Sequence, residues 1–252
     1  MSITRPWTWM LPRQQFLHSL RKSSYTIPIS SEFLTSPSFN CVNPRHHVTA
    51  TDKVTQTIPA ASIAGLSDET ILSLFTTGFF SGFVFGFERL VLRSGGFRLL
   101  PARYTGFQSD PEAVTIWDRS QVPDNHLLPV GSCLFGSFRV LDKHIAGEAD
   151  HNSSRSDSSS SYVDYGFGSD KFIFAGCHRF QITRLPPSMD SGGEAGSGSE
   201  SGSTGQQVLI QLQHFRCNPQ RNVPSVAEYI ERFHFVYAKA LFANGVQALL
   251  GR

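Results

Sequence analysis

The sequence predicts one α+β domain in which a curved antiparallel sheet grips a long C-terminal helix. Residues 161–185 place β-branched and aromatic side chains at alternate positions on both sides of a glycine-rich turn, a pattern typical of strand, turn and strand. Residues 207–217 alternate as a further strand. Residues 224–250 carry an apolar stripe with a helical period, formed by Val226, Ile230, Phe233, Tyr237, Leu241 and Asn244.

The composition supports a substantial core and excludes some function classes. Of the 252 residues, 40% are hydrophobic and 21 are phenylalanine, which is enough apolar material to bury. The formal net charge of +2 is too small to indicate a nucleic-acid-binding face. The four cysteines are far apart and include no CxxC pair, so we expect reduced, mostly buried thiols and no zinc site of that kind, at Cys41, Cys133, Cys177 and Cys217.

The N-terminal residues 1–61 are predicted to be a disordered or targeting segment outside the fold. No acidic residue precedes Glu32, and the segment is rich in serine and basic side chains, which is the composition of an organelle transit peptide such as a mitochondrial one. An ordinary disordered tail is the alternative, and no secretory apolar run is present. Residues 24–61 are rich in Ser, Thr and Pro without a clear period and are interpreted as a linker excluded from the fold. The expected location of the protein is intracellular, with mitochondria as one alternative. The single domain is expected to span residues 66–252.

A phenylalanine- and glycine-rich helix is predicted to open this domain. Ser67 is its N-cap, and acidic residues follow in the first turn. The helix is predicted to end at the Ser-Gly-Gly sequence of residues 94–96. Gly78, Gly82 and Gly86 are four residues apart and therefore share one helix face. Such a face lets another backbone or a flat aromatic ring approach closely.

Residues 71–87 of this helix have two alternative interpretations. The segment is uncharged and has GxxxG spacing, as a membrane span does, but it lies at the lower limit of about 17–25 residues. Its Gly, Ser and Thr content favours a core helix whose glycine face rests on strands. Membrane association through residues 71–87 stays open as an alternative.

Shorter strands and two polar inserts complete the predicted domain. Residues 97–107 predict a short strand on either side of Pro101, and residues 114–117 and 132–141 predict further strands. The inserts at 146–161 and 186–207 are of low complexity and are expected to be disordered loops.

The central motifs resemble a known family, the uncharacterised domain of unknown function 1990, over roughly residues 70–250. The likeness lies in an aromatic–glycine turn, a Gly-x-x-x-Phe element, a strand end and a closing helix, found at 165–169 (YGFGS), 176–180 (GCHRF), 215–219 (FRCNP) and 224–250. The Phe/Gly helix would match an earlier helix of the family. Two glutamates of the family pattern are replaced here by Cys177 and His178. The resemblance implies a helix-grip, lipid-transfer-like fold and no established activity.

The predicted binding residues lie on the strands around an expected cavity between sheet and helix. Arginines beside aromatic residues on strands can hold a carboxylate or phosphate head group, and the alternative is a surface arginine lying over a ring. The glycine-rich turn precedes a strand rather than a helix, so it is not a dinucleotide fingerprint. The candidate ligand-binding residues are Arg103, Tyr165, Phe167, His178, Arg179, His214, Phe215 and Arg216.

The histidines and cysteines give only weak indications of chemistry. Cys177 and His178 are neighbours on a strand and point to opposite faces, so they form a poor nucleophile–base pair. His178 and His214 could converge with His144 and Asp142, but no HxxxH or HxH spacing supports a metal. We therefore predict no catalytic residue, no metal and no cofactor.

Three functions stay open from the sequence. The first is a binding module for a small apolar or amphipathic ligand held between sheet and C-terminal helix. The second is an enzyme that uses the same pocket, with His178, His214 or Arg179 at its mouth. The third is a membrane-tethered or partner-binding protein that uses the glycine face of the first helix. The sequence leaves the ligand, the compartment and the oligomeric state open.

Overall fold

The computed structural model describes residues 10–98, 100–147, 160–186, 206–224 and 228–251. Within these residues the helices are α1 (Met10–Lys22), α2 (Ser31–Leu34), α3 (Pro37–Val42), α4 (Asp68–Ser81), α5 (Gly86–Arg93) and α6 (Glu228–Leu250). The strands are β1 (Ser24–Thr26), β2 (Thr49–Pro59), β3 (Thr115–Ile116), β4 (Cys133–Leu134), β5 (Phe138–His144), β6 (Ser160–Gly168), β7 (Ala175–Leu185) and β8 (Gln207–Cys217).

The strands form one curved sheet in the order β1-β2-β8-β7-β6-β5-β4-β3. Neighbouring strands are antiparallel except β3 and β4, which are parallel. The predicted α+β class with a mostly antiparallel sheet and a C-terminal helix is confirmed. The alternating segment 207–217 forms β8 with the predicted bounds.

The two faces of the sheet bury different side chains because successive residues of a strand point to opposite sides. The inner face packs against α4 and α6, and Phe75 and Phe79 of α4 meet Phe180 of β7 with ring centroids 4.9 and 4.8 Å apart. On the outer face, Phe33 of α2 and Phe39 of α3 pack on Phe215 of β8. The sheet is therefore covered on both sides.

The prediction that residues 24–61 form a linker outside the fold is wrong. Residues 49–59 form β2, which pairs with β8 over its full length, from Thr49 opposite Cys217 to Pro59 opposite Gln207. Threonine and valine have high strand propensity, and the alternation in TATDKVTQTIP buries Asp52, Val54, Gln56 and Ile58 while the residues between them are more accessible. The Ser/Thr content that suggested a linker is here the composition of a strand.

The predicted single Phe/Gly helix is also wrong, because the chain breaks into α4 and α5, which are bent by 72°. Gly82 ends α4, and the side chain of Asn244 on α6 accepts a hydrogen bond from the Val84 N–H within the break. The glycine face does not rest on strands. Gly78 packs against α6, where an added Cβ would lie 2.5 Å from the Asn244 carbonyl oxygen, whereas Gly86 has open space around it.

Helix α4 begins as predicted, with the Ser67 hydroxyl accepting a hydrogen bond from the Thr70 N–H. Its residues 71–76 are all buried. Among the described residues, no single helix has the length and apolar character needed to cross a membrane. The pair α4 and α5 meets those two criteria only when taken together across the bend.

The remaining strand predictions are partly confirmed. Residues 132–141 form β4 and β5 around a tight turn in which Phe135 and Gly136 have φ of 53° and 72°. The described residues of this range, 97–98 and 100–107, form no strand and contribute one bridge between Arg103 and Ser169. Residues 148–159 and 187–205, most of the two predicted disordered loops, lie outside the described residues.

The cysteine prediction is confirmed, since Cys41, Cys133, Cys177 and Cys217 are free and the last three are buried. The first polar insert, predicted at 146–161, ends earlier than predicted, because Ser160 and Ser161 belong to β6.

Candidate functional site

A cavity of about 180 Å³ lies between the inner face of the sheet and helices α4, α5 and α6. We call it the aromatic cavity. Its wall is mainly apolar and consists of Phe79, Phe85, Leu100, Phe138, Phe167, Phe174, Leu212, Ala238 and Leu241. Its polar lining consists of Glu88, His178, His214, Arg216, His234 and Tyr237.

The sheet places two histidines side by side in this cavity. His178 on β7 and His214 on β8 are directly opposite in the ladder, and their rings stack with centroids 4.8 Å apart. Phe167 of β6 stacks on His214 at 5.8 Å, and Phe138 of β5 stacks on His178 at 6.0 Å. The aromatic neighbours fix both imidazole rings against the wall.

A buried carboxylate on β2 joins this site. Asp52 lies directly opposite His214, and its Oδ2 accepts hydrogen bonds from His214 Nδ1 at 2.9 Å and from His234 Nε2 of α6 at 3.1 Å. Arg216 Nη1 lies 3.9 Å from the same oxygen. We call these four residues the Asp52 cluster. It separates the aromatic cavity from a surface groove that is lined on the other side by Asp52, Arg216 and His234.

The electrostatics of the cluster favour an ionised Asp52 carboxylate beside a neutral His214 imidazole. Burial raises the pKa of Asp52, but His214 and His234 outweigh it and hold that pKa well below its usual range. Burial lowers the pKa of His214, although Asp52 opposes the shift. Burial also lowers the pKa of His178, well below its usual value. Arg216 supplies the fixed positive charge that balances Asp52.

Two polar atoms of the site have no hydrogen-bond partner among the described residues although they are buried: Asp52 Oδ1 and His178 Nδ1. Buried polar atoms in folded proteins are nearly always hydrogen-bonded. Because Nδ1 of His214 is engaged by Asp52, its Nε2 is the ring nitrogen left for the cavity. The site therefore offers several unused polar positions to a bound molecule.

The opposite wall of the cavity carries a second polar pair. The Tyr237 hydroxyl on α6 donates a hydrogen bond of 2.7 Å to Glu88 Oε2 on α5. Burial raises the pKa of Glu88, while the Tyr237 hydrogen bond and His234 lower it and offset part of the shift. Glu88 is therefore a carboxyl group that holds its proton more readily than a surface glutamate does.

Four of the eight predicted site residues line the cavity: Phe167, His178, His214 and Arg216. They converge because they come from adjacent strands and share the inner face. Their role in ligand binding stays a prediction.

The other four predicted residues lie elsewhere. Arg179 and Phe215 each follow a cavity histidine in the chain and so point to the outer face, where Phe215 packs on Phe33. Tyr165 is in the core, with its hydroxyl 3.1 Å from that of Thr76. Arg103 lies at the end of the sheet beside Ser169.

His144 and Asp142, which the sequence left as possible neighbours of the strand histidines, lie outside the cavity. His144 packs against the ring of Tyr162, and Asp142 accepts a hydrogen bond of 2.9 Å from the Tyr162 hydroxyl. Neither residue lines the aromatic cavity.

Sequence reasoning missed Asp52, Glu88, His234 and Tyr237 as site residues. Asp52 was hidden in the segment interpreted as a linker, although the alternation of residues 49–59 was a strand signal. His234 precedes Tyr237 of the predicted apolar stripe by three residues, a spacing that puts both on one helix face. Glu88 lines the cavity half-buried because the chain bends between α4 and α5, and the prediction of one continuous helix did not include this bend.

Comparison with known proteins adds no assignment to this site, because no family model, curated protein or solved structure matches the chain.

Proposed function

We propose that the chain binds a small amphipathic molecule in the aromatic cavity, held between the sheet and α6 in a helix-grip arrangement. The observation that carries the proposal is the composition of the cavity wall, in which a mainly apolar surface surrounds a contiguous polar group. His178 stacks on His214, and the ring of His214 contacts that of His234 at a centroid distance of 4.6 Å. Apolar pockets with a few convergent polar groups are the usual sites of small-molecule binding.

The size of the cavity limits the ligand. Its volume is about 180 Å³. Pockets for drug-sized ligands measure about 300–1,000 Å³, whereas an apolar cavity of about 150 Å³ admits benzene. The ligand class is therefore a single ring or short chain with one polar substituent.

The polar wall favours a hydroxyl group as that substituent. His178 is neutral at neutral pH, so its unpartnered Nδ1 either donates or accepts according to tautomer. A ligand hydroxyl group can pair with Nδ1 in either tautomer, because a hydroxyl both donates and accepts hydrogen bonds. Asp52 and Arg216 offset each other's charge, so the site has no strong preference for an ionic head group. A phenol or a short alcohol matches these groups best.

The position of α6 supports the helix-grip part of the proposal. The helix supplies Ala238 and Leu241 to the cavity wall and so closes one side of the ligand space. The family resemblance also stays a proposal, supported by the order of β6, β7, β8 and α6, which carry the matching motifs in sequence.

Filling the cavity tests the proposal. The full chain is titrated with 4-ethylphenol, and binding is measured by calorimetry and ligand-observed NMR. Ala238→Leu adds volume inside the cavity and should weaken binding at least tenfold. Ala240→Leu adds the same volume at a half-buried position of α6 outside the cavity lining and should bind as the unchanged chain does. Equal affinity in both variants, or no binding by phenols and short alcohols, would refute the proposal.

A second candidate function is general acid–base catalysis in the same cavity. The specific observation is the Asp52–His214 pair, in which a buried carboxylate fixes the imidazole through Nδ1 and leaves Nε2 toward the cavity. Arg179, one of the residues considered for this role, lies on the outer face and takes no part.

Hydrolysis of a small probe ester, 4-nitrophenyl acetate, checks this candidate function. His214→Gln should reduce the rate to that of the uncatalysed reaction while 4-ethylphenol still binds. His126→Gln, a change at an exposed histidine outside the cavity, should keep the full rate. An equal rate in the His214 variant would exclude His214 as the base.

A further inference from the structure

Three side chains of the Asp52 cluster have the spacing of a metal site. One ligand atom from each of Asp52, His214 and His234 lies within 4.8 Å of the other two. The two N···O distances are 2.9 and 3.1 Å. A tetrahedral zinc ion with bonds of about 2.0–2.1 Å holds its ligand atoms about 3.3 Å apart, so the two N···O distances would lengthen by about 0.2–0.4 Å. The two imidazole nitrogens, which lie within 4.8 Å of each other, would adopt the same spacing around the ion.

We propose that Asp52, His214 and His234 bind a divalent first-row transition metal ion, with an open coordination position toward the surface groove. Two imidazoles and one carboxylate form the ligand set of many catalytic zinc sites and of non-haem iron(II) sites. Asp52 and His234 both line that groove, so a fourth ligand or a substrate could reach the ion from there. The inference does not depend on the identity of the cavity ligand.

A second, independent observation supports the site. Asp52 is only 2% exposed, yet its Oδ1 has no hydrogen-bond partner among the described residues, while Oδ2 receives both histidines. A carboxylate that serves only a hydrogen-bond network would be expected to use both oxygens when buried. The unused oxygen gives the carboxylate room to turn and bind an ion through either atom.

The scaffold holds the three ligands firmly. Asp52 and His214 are opposite each other near the middle of the β2–β8 ladder, and His234 comes from α6. The His214 ring is further held by stacking on His178 and Phe167. Surrounding contacts that orient metal ligands commonly change metal affinity by about 10–100-fold.

Arg216 is the group that opposes metal binding. Its Nη1 lies 3.9 Å from Asp52 Oδ2 and balances the carboxylate charge, so an incoming dication must displace it or tolerate its charge. Arg216 also lines the surface groove beyond the cluster, which gives its side chain space to move away. Removal of this arginine should therefore tighten metal binding, an effect that a purely structural cluster would not show.

The test uses the full chain, from which metal has first been removed with a chelator. The chain is titrated with Zn²⁺ and, in a second experiment, with Co²⁺, because the visible absorption of Co²⁺ reports a tetrahedral site. One equivalent should bind, and Mg²⁺ should not compete. Asp52→Asn and His234→Gln should each weaken Zn²⁺ binding by at least about 100-fold. Arg216→Met should tighten it at least tenfold, and the surface change His126→Gln should leave it unchanged.

Circular dichroism and thermal unfolding of the metal-free variants check that each one folds. If Asp52→Asn is unfolded, His234→Gln decides the question, because His234 is only partly buried. The proposal is overturned if the folded chain binds no Zn²⁺ at micromolar concentration, or if binding survives both ligand substitutions. Binding of 4-ethylphenol to the metal-free chain is measured in parallel, so that failure of the metal site and failure of the proposed ligand site are distinguished.

Discussion

Arg179 and Asp164 form a two-point ion pair across β6 and β7, with Nε to Oδ1 and Nη2 to Oδ2 both at 2.7 Å. The guanidinium lies between the rings of Tyr162 and Phe33, at 3.8 and 4.4 Å from their centroids. Both charged residues are almost fully buried on the outer face. Arg179, a predicted ligand contact, therefore ties two central strands together instead.

Removal of one partner from this ion pair should lower the stability of the folded protein. Asp164→Asn leaves the buried Arg179 charge with only the more distant Glu32 carboxylate, whose Oε1 lies 4.0 Å from Nη1. We expect the free energy of unfolding to fall by about 3 kcal/mol, the lower end of the range for a broken buried ion pair. Urea denaturation measures the change. Arg93→Gln, which removes an exposed pair with Asp118, should leave stability unchanged. A small effect of Asp164→Asn would show that the Arg179 charge is satisfied in another way.

The N-terminal residues are expected to be required for folding. Deletion of residues 1–61 removes β2, which buries Val54 and Ile58 and supplies Asp52 as the partner of His214. The shortened chain should be insoluble or lack a cooperative unfolding transition. Deletion of residues 2–9 alone is the control and should be tolerated. A folded, cooperative chain of residues 62–252 would contradict the assignment of β2 to the sheet.

The crossing of α4 and α6 depends on Gly78. A Cβ there would meet the Asn244 carbonyl oxygen at 2.5 Å and the Gly245 Cα at 2.9 Å, both backbone atoms that cannot move independently of α6. Gly78→Ala should destabilise the protein by about 1–3 kcal/mol. Gly86→Ala meets nothing closer than 3.8 Å and should stabilise α5 by about 0.5–1 kcal/mol. Thermal and urea unfolding of both variants compare the two sites, and equal effects would contradict the packing argument.

The cavity histidines should make stability depend on pH. The pKa of His178 is well below that of an unfolded histidine, about 6.5, so below that pH the unfolded chain binds a proton that the folded chain does not. Stability should therefore decrease as the pH falls below about 6.5, with a slope of up to about 1.4 kcal/mol per pH unit for this residue.

The substitution His178→Phe isolates this contribution, because a phenyl ring fits among Phe138, Phe167 and His214 without a titrating group. Urea unfolding at pH 7.5, 6.0 and 5.0 should give a shallower pH dependence in the variant than in the unchanged chain. The same slope in both would mean that His178 becomes protonated in the folded protein.

The sequence predicted correctly those features of the fold that depend on residues close together in the chain. The bounds of β8 follow from uninterrupted alternation and a stop at Asn218, and the N-cap at Ser67 follows from its hydroxyl and the acidic first turn. The strand, turn and strand of residues 161–185 was also predicted, although the turn lies a few residues later, at 169–174.

The missed features depend on contacts between distant segments. The break after α4 is held by Asn244 of α6, and no local signal near Gly82 reports that partner. The candidate site requires Asp52, whose hydrogen-bond partner His214 is 162 residues away in the chain. Alternation along a strand is a local rule that does separate the candidates. His178 and Arg179 are neighbours on β7, so their side chains point to opposite faces of the sheet and cannot share a pocket.

The pairing of β2 with β8 also determines when the protein can finish folding during its synthesis. Because 162 residues separate Asp52 from His214, a ribosome that adds about 5–20 residues per second needs about 8–32 s to make the second strand after the first. Throughout that interval Val54 and Ile58 lack the neighbour that buries them. Strand β2 is thus a segment of the nascent chain that needs protection from aggregation until residues 207–217 have been made.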